Sequence, residues 1–161
     1  MKHAFLFALT ILPMAALAAS GSPDSSFYKS LAEGGIAEVR LGKLAQQKAT
    51  DPGVRDFAAM MVKDHSAANA QLRTLASTKN IRLPKGPSVA ARAKKAELEV
   101  LSGHTFDTSY VSSQIKAHED TLALLQKEID SGNDADARAF AQKVLPTVQA
   151  RLLAAEKLPT Q

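Results

Sequence analysis

The 161-residue sequence contains no cysteine and no tryptophan. The missing thiol excludes disulfides, a thiolate nucleophile, a thiolate metal ligand and lipid attachment at a lipobox cysteine. Phe and Tyr are the only aromatics and make up 5% of the chain, too few for the stacked platforms that nucleic-acid binders present. The charge is nearly balanced, with 20 basic residues against 16 acidic and a formal net charge of +4. That balance, with no concentrated basic face, excludes a dedicated nucleic-acid binder. No P-loop, nucleophile elbow, H-E-x-x-H or Cys/His zinc pattern occurs. Past the first twenty residues no run of 18 apolar residues remains, so no later segment predicts an integral membrane helix.

The N-terminus does carry a pattern. Lys2 and His3 precede an apolar stretch from Ala4 to Leu12, followed by Pro13 and the small residues Ala15 to Ala19. These are the three parts of a secretory leader, and Ala16-Leu17-Ala18 fits the A-x-A cleavage rule. The sequence therefore predicts a signal peptide over 1–18 and one mature domain over 19–161. That domain is long enough for a single core and is destined for the periplasm.

Four later segments repeat apolar residues at helical spacing, and none alternates with period two, so the fold class is all-α. The first helix is expected from Asp24 to Lys48, the second from Pro52 to Lys79, the third from Thr105 to Asp130 and the fourth from Asp134 to Leu158. Pro84, Gly86 and Pro87 interrupt the middle. A short extra helical segment, Ser88 to Leu101, precedes the third helix. Short turns at the first and last corners require antiparallel pairs, hence an antiparallel four-helix bundle. The halves also look duplicated: at an offset of 83 residues, Val54, Phe57, Met61, His65, Ala68 and Leu72 overlay Ala137, Phe140, Val144, Val148, Arg151 and Ala155.

Polar residues that interrupt an apolar stripe are informative, because a charge in a core costs several kcal/mol unless it is paired or bound. Glu38 interrupts the first helix, His65 the second and His118 the third, each near its helix midpoint. An antiparallel bundle brings them to one level. Arg151 is the inward polar residue of the fourth helix, roughly 8 Å from that level. Two readings stay open. In one, Glu38, His65 and His118 form a two-histidine, one-carboxylate site for a single iron or zinc ion. In the other they form a buried network in which Glu38 pairs with Arg151. Asp64 is a partner for that network or an exposed residue, and the permanent charge of Arg151 opposes a nearby cation.

Asp107 reads as an acid near the start of the third helix, facing its positive end. Asp51 reads as a cap, His104 as exposed and Tyr110 as core. Arg82, Lys85, Arg92, Lys94 and Lys95 fall close together with no acid among them, a solvated stretch or a contact for an anionic surface.

The segment Gly34-Gly35-Ile36-Ala37-Glu38-Val39-Arg40-Leu41-Gly42-Lys43-Leu44-Ala45 resembles the opening signature of an exported bacterial family, domain of unknown function 4142. Members often carry the label outer membrane protein. Further matches follow in order at Val54 to Ala58, Met61 to His65, Phe106-Asp107 with Tyr110, His118-Glu119 and Leu145-Pro146. The resemblance implies a ferritin-like four-helix fold and an envelope location, without a settled activity. It departs at Arg151, where relatives usually carry a histidine. A ferritin-type di-iron centre also needs a glutamate three residues before each histidine, and this chain has Val62 and Ile115 there. The functional expectation is a non-catalytic module for envelope stress or interaction, with an envelope protein or anionic surface as partner. The alternative is a mononuclear metalloprotein with oxidase or peroxide-handling chemistry.

Overall fold

The structure is a computed structural model that describes residues 23–160; the predicted leader and its junction at Ala18–Ala19 lie outside the described residues. Those residues form α1 (Pro23–Lys48), α2 (Pro52–Thr78), α3 (Val89–Val100), α4 (Gly103–Ser131) and α5 (Ala135–Ala155), with no strand among them. The four long helices make the expected antiparallel bundle, and α3 lies across α1 and α4. Asp51 caps α2 by accepting from the Val54 N–H at 3.0 Å, ahead of Pro52 in the first turn. Ser88 caps α3 in the same way through Ala91. Gly103 takes a left-handed φ of 56°, which lets α4 start two residues before Thr105. Helix α5 runs on through Pro146.

The duplication read from the sequence extends to the turns. Near the start of α4, the buried Asp107 carboxylate accepts from the Thr50 N–H at 3.0 Å and the Asp51 N–H at 2.9 Å, and from the Thr50 hydroxyl. It therefore ties down the α1–α2 turn and does not simply face the end of its own helix, which corrects the expectation for Asp107. At the equivalent place in α1, Asp24 accepts from the Asn133 N–H of the α4–α5 turn at 2.9 Å. Arg55 donates to Ala49 and Thr50 carbonyls, and its counterpart Arg138 donates to the Gly132 carbonyl at 2.6 Å. Each hairpin thus clamps the turn of the other. A pair of related helical hairpins packed head to tail produces that reciprocity.

The core is divided. One cluster, around Phe57, Met61, Leu98, Phe106 and Tyr110, fills the end near the α1–α2 turn. The other, around Phe27, Tyr28, Leu72, Leu125 and Phe140, fills the end near the α4–α5 turn. Each fully buried large side chain contributes about 1.5–3 kcal/mol. Between the clusters lies a polar waist containing Glu38, Gln114 and His118.

Candidate functional site: a polar waist beneath an open cleft

Within the first hairpin, α1 and α2 approach closely because glycines face the partner helix. A Cβ on Gly42 would stand 2.8 Å from Val62 Cγ2 and 3.0 Å from the Ala58 carbonyl. The opposite seam, between α1 and α4, is much looser. Small residues face it from both sides, among them Gly34 and Ala37 on α1 and Ser109, Ser113 and Ala117 on α4. They leave a cleft of about 820 Å³ that reaches down to Leu72, Phe140 and Val148. A Cβ on Gly34 would meet nothing within 4 Å, so the glycine borders open space.

Glu38 and His65 line this cleft. Glu38 is only 6% exposed, and its Oε2 has no hydrogen-bond partner. Burial raises its pKa to about 7, with the Gln114 amide pulling the other way. Gln114 is itself fully buried, and both its amide atoms lack a partner of full hydrogen-bond geometry. The buried Tyr110 hydroxyl is likewise unpartnered, and burial and the Glu38 charge hold it protonated. A buried polar group without a partner costs about 1–3 kcal/mol, so this cluster is expensive unless something bonds to it.

The two histidines meet. Their ring centroids lie 6.0 Å apart in an edge-to-face arrangement at 78°. His118 donates from Nδ1 to the Gln114 carbonyl at 2.7 Å, which leaves the lone pair of its buried Nε2 unused. Burial lowers the pKa of both rings, that of His65 to about 4, helped by His118 and by the charge of Arg151 and opposed by Asp64. Both imidazoles are neutral at pH 7. His65 is only half-buried, among the residues that line the cleft, where the stripe pattern placed it fully inside.

The pairing expected between Glu38 and Arg151 does not form. Arg151 instead bonds Asp64, with Nε at 2.8 Å from Oδ2 and Nη2 completing a two-point contact. Both side chains are about a quarter exposed, at 25% and 27%. The acid adjacent to His65 on α2 is nearer the α5 guanidinium than the acid on α1, so Glu38 is left alone. Nor do Glu38, His65 and His118 form a ready three-ligand site. Among the described residues no three His, Asp or Glu side chains converge closely enough to hold a metal ion. The waist joins the histidines as a pair, with the carboxyl as a separate feature of the same cleft.

The basic stretch is also less uniform than its sequence. Lys94 pairs with Glu97 at 2.7 Å and Lys95 pairs with Glu99, acids that follow one helical turn later. Arg92 donates to the Pro87 carbonyl, while Arg82 and Lys85 are exposed. Tyr110 is core and His104 exposed, as expected.

Gln114 escaped the stripe analysis, although it stands four residues before His118 on the same face. Glu128 was missed too. It is 6% exposed beside Asp24, and burial and the Asp24 carboxylate raise its pKa to about 7. The 83-residue offset pairs Glu128 with the buried Ala45, which was the available signal of a carboxyl at a core position.

Solved structures share this fold. A fragment of a DUF305 protein from Deinococcus radiodurans superposes with a TM-score of 0.72 at 15% identity, covering 84% of this chain and 94% of that one. A DUF305 protein from Streptomyces coelicolor, inferred to be secreted, gives 0.69 at 11% identity, over 82% of this chain and 87% of that one. CopM in its Cu(II)-bound form gives 0.68 at 14% identity, over 83% and 93%. At such identities the likeness is one of fold. No curated protein matches the sequence significantly. The profile of the domain of unknown function DUF4142 matches residues 11–158, nearly the whole chain, and the protein belongs to that family.

Proposed function

We propose that the protein is exported to the periplasm, is cleaved after Ala18, and serves there as a non-catalytic binding module whose site is the cleft above the polar waist. The leader pattern supports export, as does the absence, among the described residues, of a helix long and apolar enough to cross a membrane. The inferred secretion of the Streptomyces neighbour agrees with it. One observation carries the binding role: an open cleft of about 820 Å³, the size of small-molecule sites, ends on a buried carboxyl that has an unpartnered oxygen. Catalysis is not favoured, because Glu38 bonds to no nucleophile and His118 is oriented by a backbone carbonyl alone. The test is native mass spectrometry of the full-length gene product recovered from the periplasm of a Gram-negative host. The reading expects the 19–161 mass plus a bound small molecule, and expects that molecule to be lost in Gly34→Leu, which places a bulky side chain at the cleft. An uncleaved chain would overturn export, and a bare wild-type chain would overturn binding.

A second reading is favoured by the histidine pair and by the copper-bound neighbours: His65 and His118 hold one metal ion. Two neutral imidazoles with one unused buried lone pair suit copper, and a monovalent ion best tolerates the nearby Arg151. Iron or zinc with Glu38 as third ligand fits less well, for want of convergence. Bound there, the ion would serve storage or transfer of copper. Cu(I) in an anaerobic melting assay is expected to raise the melting temperature of wild type but not of His118→Leu, while Zn(II) leaves it unchanged. Equal shifts for both proteins would end this reading.

A further inference from the structure

Resting on the binding role proposed above, the geometry points to the class of ligand: we infer that the cleft takes a lipophilic molecule that carries an N–H or O–H donor and no anionic group, its donor bonding to Glu38. The apolar body is provided for by Leu31, Leu72, Leu124, Phe140, Val144 and Val148, which line the deep part of the cleft. The polar anchor is acceptor chemistry. Glu38 lines the cleft with 6% of its surface exposed and makes no hydrogen bond of full geometry within the protein, so a donor in the ligand reaching its carboxyl supplies the missing bond.

Charge argues against an acid. The two lysines at the cleft rim are already engaged, Lys94 by Glu97 and Lys116 by Asp120. No other lysine or arginine lines the cleft, while Glu33 and Glu38 both do. A carboxylate or phosphate entering here would meet acids and spent cations, at a cost of several kcal/mol for burying an unpaired charge. An alcohol, an amide or an amine meets the apolar residues of the deep wall, the hydroxyls that α4 presents along the seam, and the Glu38 carboxyl. All five helices contribute lining residues, so the cleft is formed before the ligand arrives.

The fluorescent probe N-phenyl-1-naphthylamine has this chemistry, with two aromatic ring systems and one N–H. Its N-methyl derivative keeps the fluorophore and removes the donor. The cysteine- and tryptophan-free chain leaves the probe's emission unobscured. Wild type is expected to bind the N–H probe saturably at one site, and the N-methyl probe about tenfold more weakly, the effect of one hydrogen bond of about 1.4 kcal/mol. In Glu38→Met, which removes the acceptor at similar volume, the two probes should bind within twofold of each other. Gly34→Leu should bind neither; circular dichroism and melting verify that it folds, which the open space at Gly34 favours. Dodecan-1-ol should displace the probe from wild type, and dodecanoate should not. Equal binding by wild type and Gly34→Leu would place the probe elsewhere and bring down the cleft reading as well. Loss of binding in Gly34→Leu with no preference for the N–H probe in wild type, or displacement by dodecanoate, would overturn only the ligand class. Failure of the N–H probe to bind wild type would also overturn the class, leaving the cleft to be judged by the mass measurement.

Discussion

The two turns of the bundle are built to one plan and differ in how completely it is carried out. At the α1–α2 turn, Asp107 gathers two backbone amides and a hydroxyl, and the neighbouring helix position is the buried Ala45. At the α4–α5 turn, Asp24 receives one backbone amide and shares its surroundings with Glu128. Gly132 provides the room, since a Cβ there would come 2.3 Å from Glu128 Oε1. Around this second turn Asp134 accepts from Tyr28 at 3.1 Å and pairs with Lys79 at 2.8 Å. Against its burial, those partners hold the Asp134 carboxyl below its ordinary pKa. One turn is thus satisfied, while the other carries in Glu128 a carboxyl that prefers its proton. The same asymmetry runs along the helices. Gly35 and Gly42 let α1 and α2 touch, whereas their counterparts in the duplication are His118 and Leu125, which fill the second half with side chains.

Breaking the satisfied turn has the largest expected effect. Asp107→Ala leaves the Thr50 and Asp51 amides without their acceptor and should cost about 3 kcal/mol in urea unfolding, against about 1 kcal/mol for Asp24→Ala. Equal costs would remove the distinction between the turns. Next comes the close approach of the first hairpin. Gly42→Ala places a methyl against Val62 and a backbone carbonyl and should cost about 1–2 kcal/mol, while Gly34→Ala, on the open seam, should gain about 0.5–1 kcal/mol from helix propensity.

Glu128 has a folded pKa of about 7 against an ordinary value of 4.5. Its contribution is full below the unfolded pKa and is lost as pH rises from about 4.5 through 7. Glu128→Gln is insensitive to that loss. Its melting temperature should rise relative to wild type between pH 5 and pH 8, by an amount on the order of 1–2 kcal/mol in stability. His65 and His118 act in the opposite sense, losing stability as pH falls through the acid range, so the comparison is made between proteins and not along one curve. A constant difference across that range would show that Glu128 is not held in its protonated form. The smallest effect belongs to Arg151→Met. It breaks a partly exposed ion pair with Asp64 and should change stability by less than about 1 kcal/mol.

Much of the fold was legible in the sequence because it rests on local signals. Pro52 behind Asp51, the Ser131-Gly132-Asn133 turn and the helical apolar rhythm mark ends that the structure reproduces to within a few residues. The polar interruptions at Glu38 and His118 were legible for the same reason, since both are buried on their stripes. What could not be read was pairing between helices. Whether Arg151 reaches Asp64 or Glu38 depends on the rotation of α5 against α2, and helical periodicity carries no information about that angle. The cleft was hidden likewise. It arises from small residues on two helices far apart in sequence, and a glycine or serine on a helix face reads the same whether its neighbour is distant or close.

A crystal structure of the processed protein, recovered from the periplasm without extraction by detergent or organic solvent, tests the central claim most directly. The account predicts density for a small molecule lodged between Leu72, Phe140 and Val148, with a donor atom within about 3 Å of the Glu38 carboxyl. A collapsed seam in which α1 and α4 close over the cleft, with the Glu38 carboxyl bonded to Gln114 or Tyr110 and nothing bound, would contradict it.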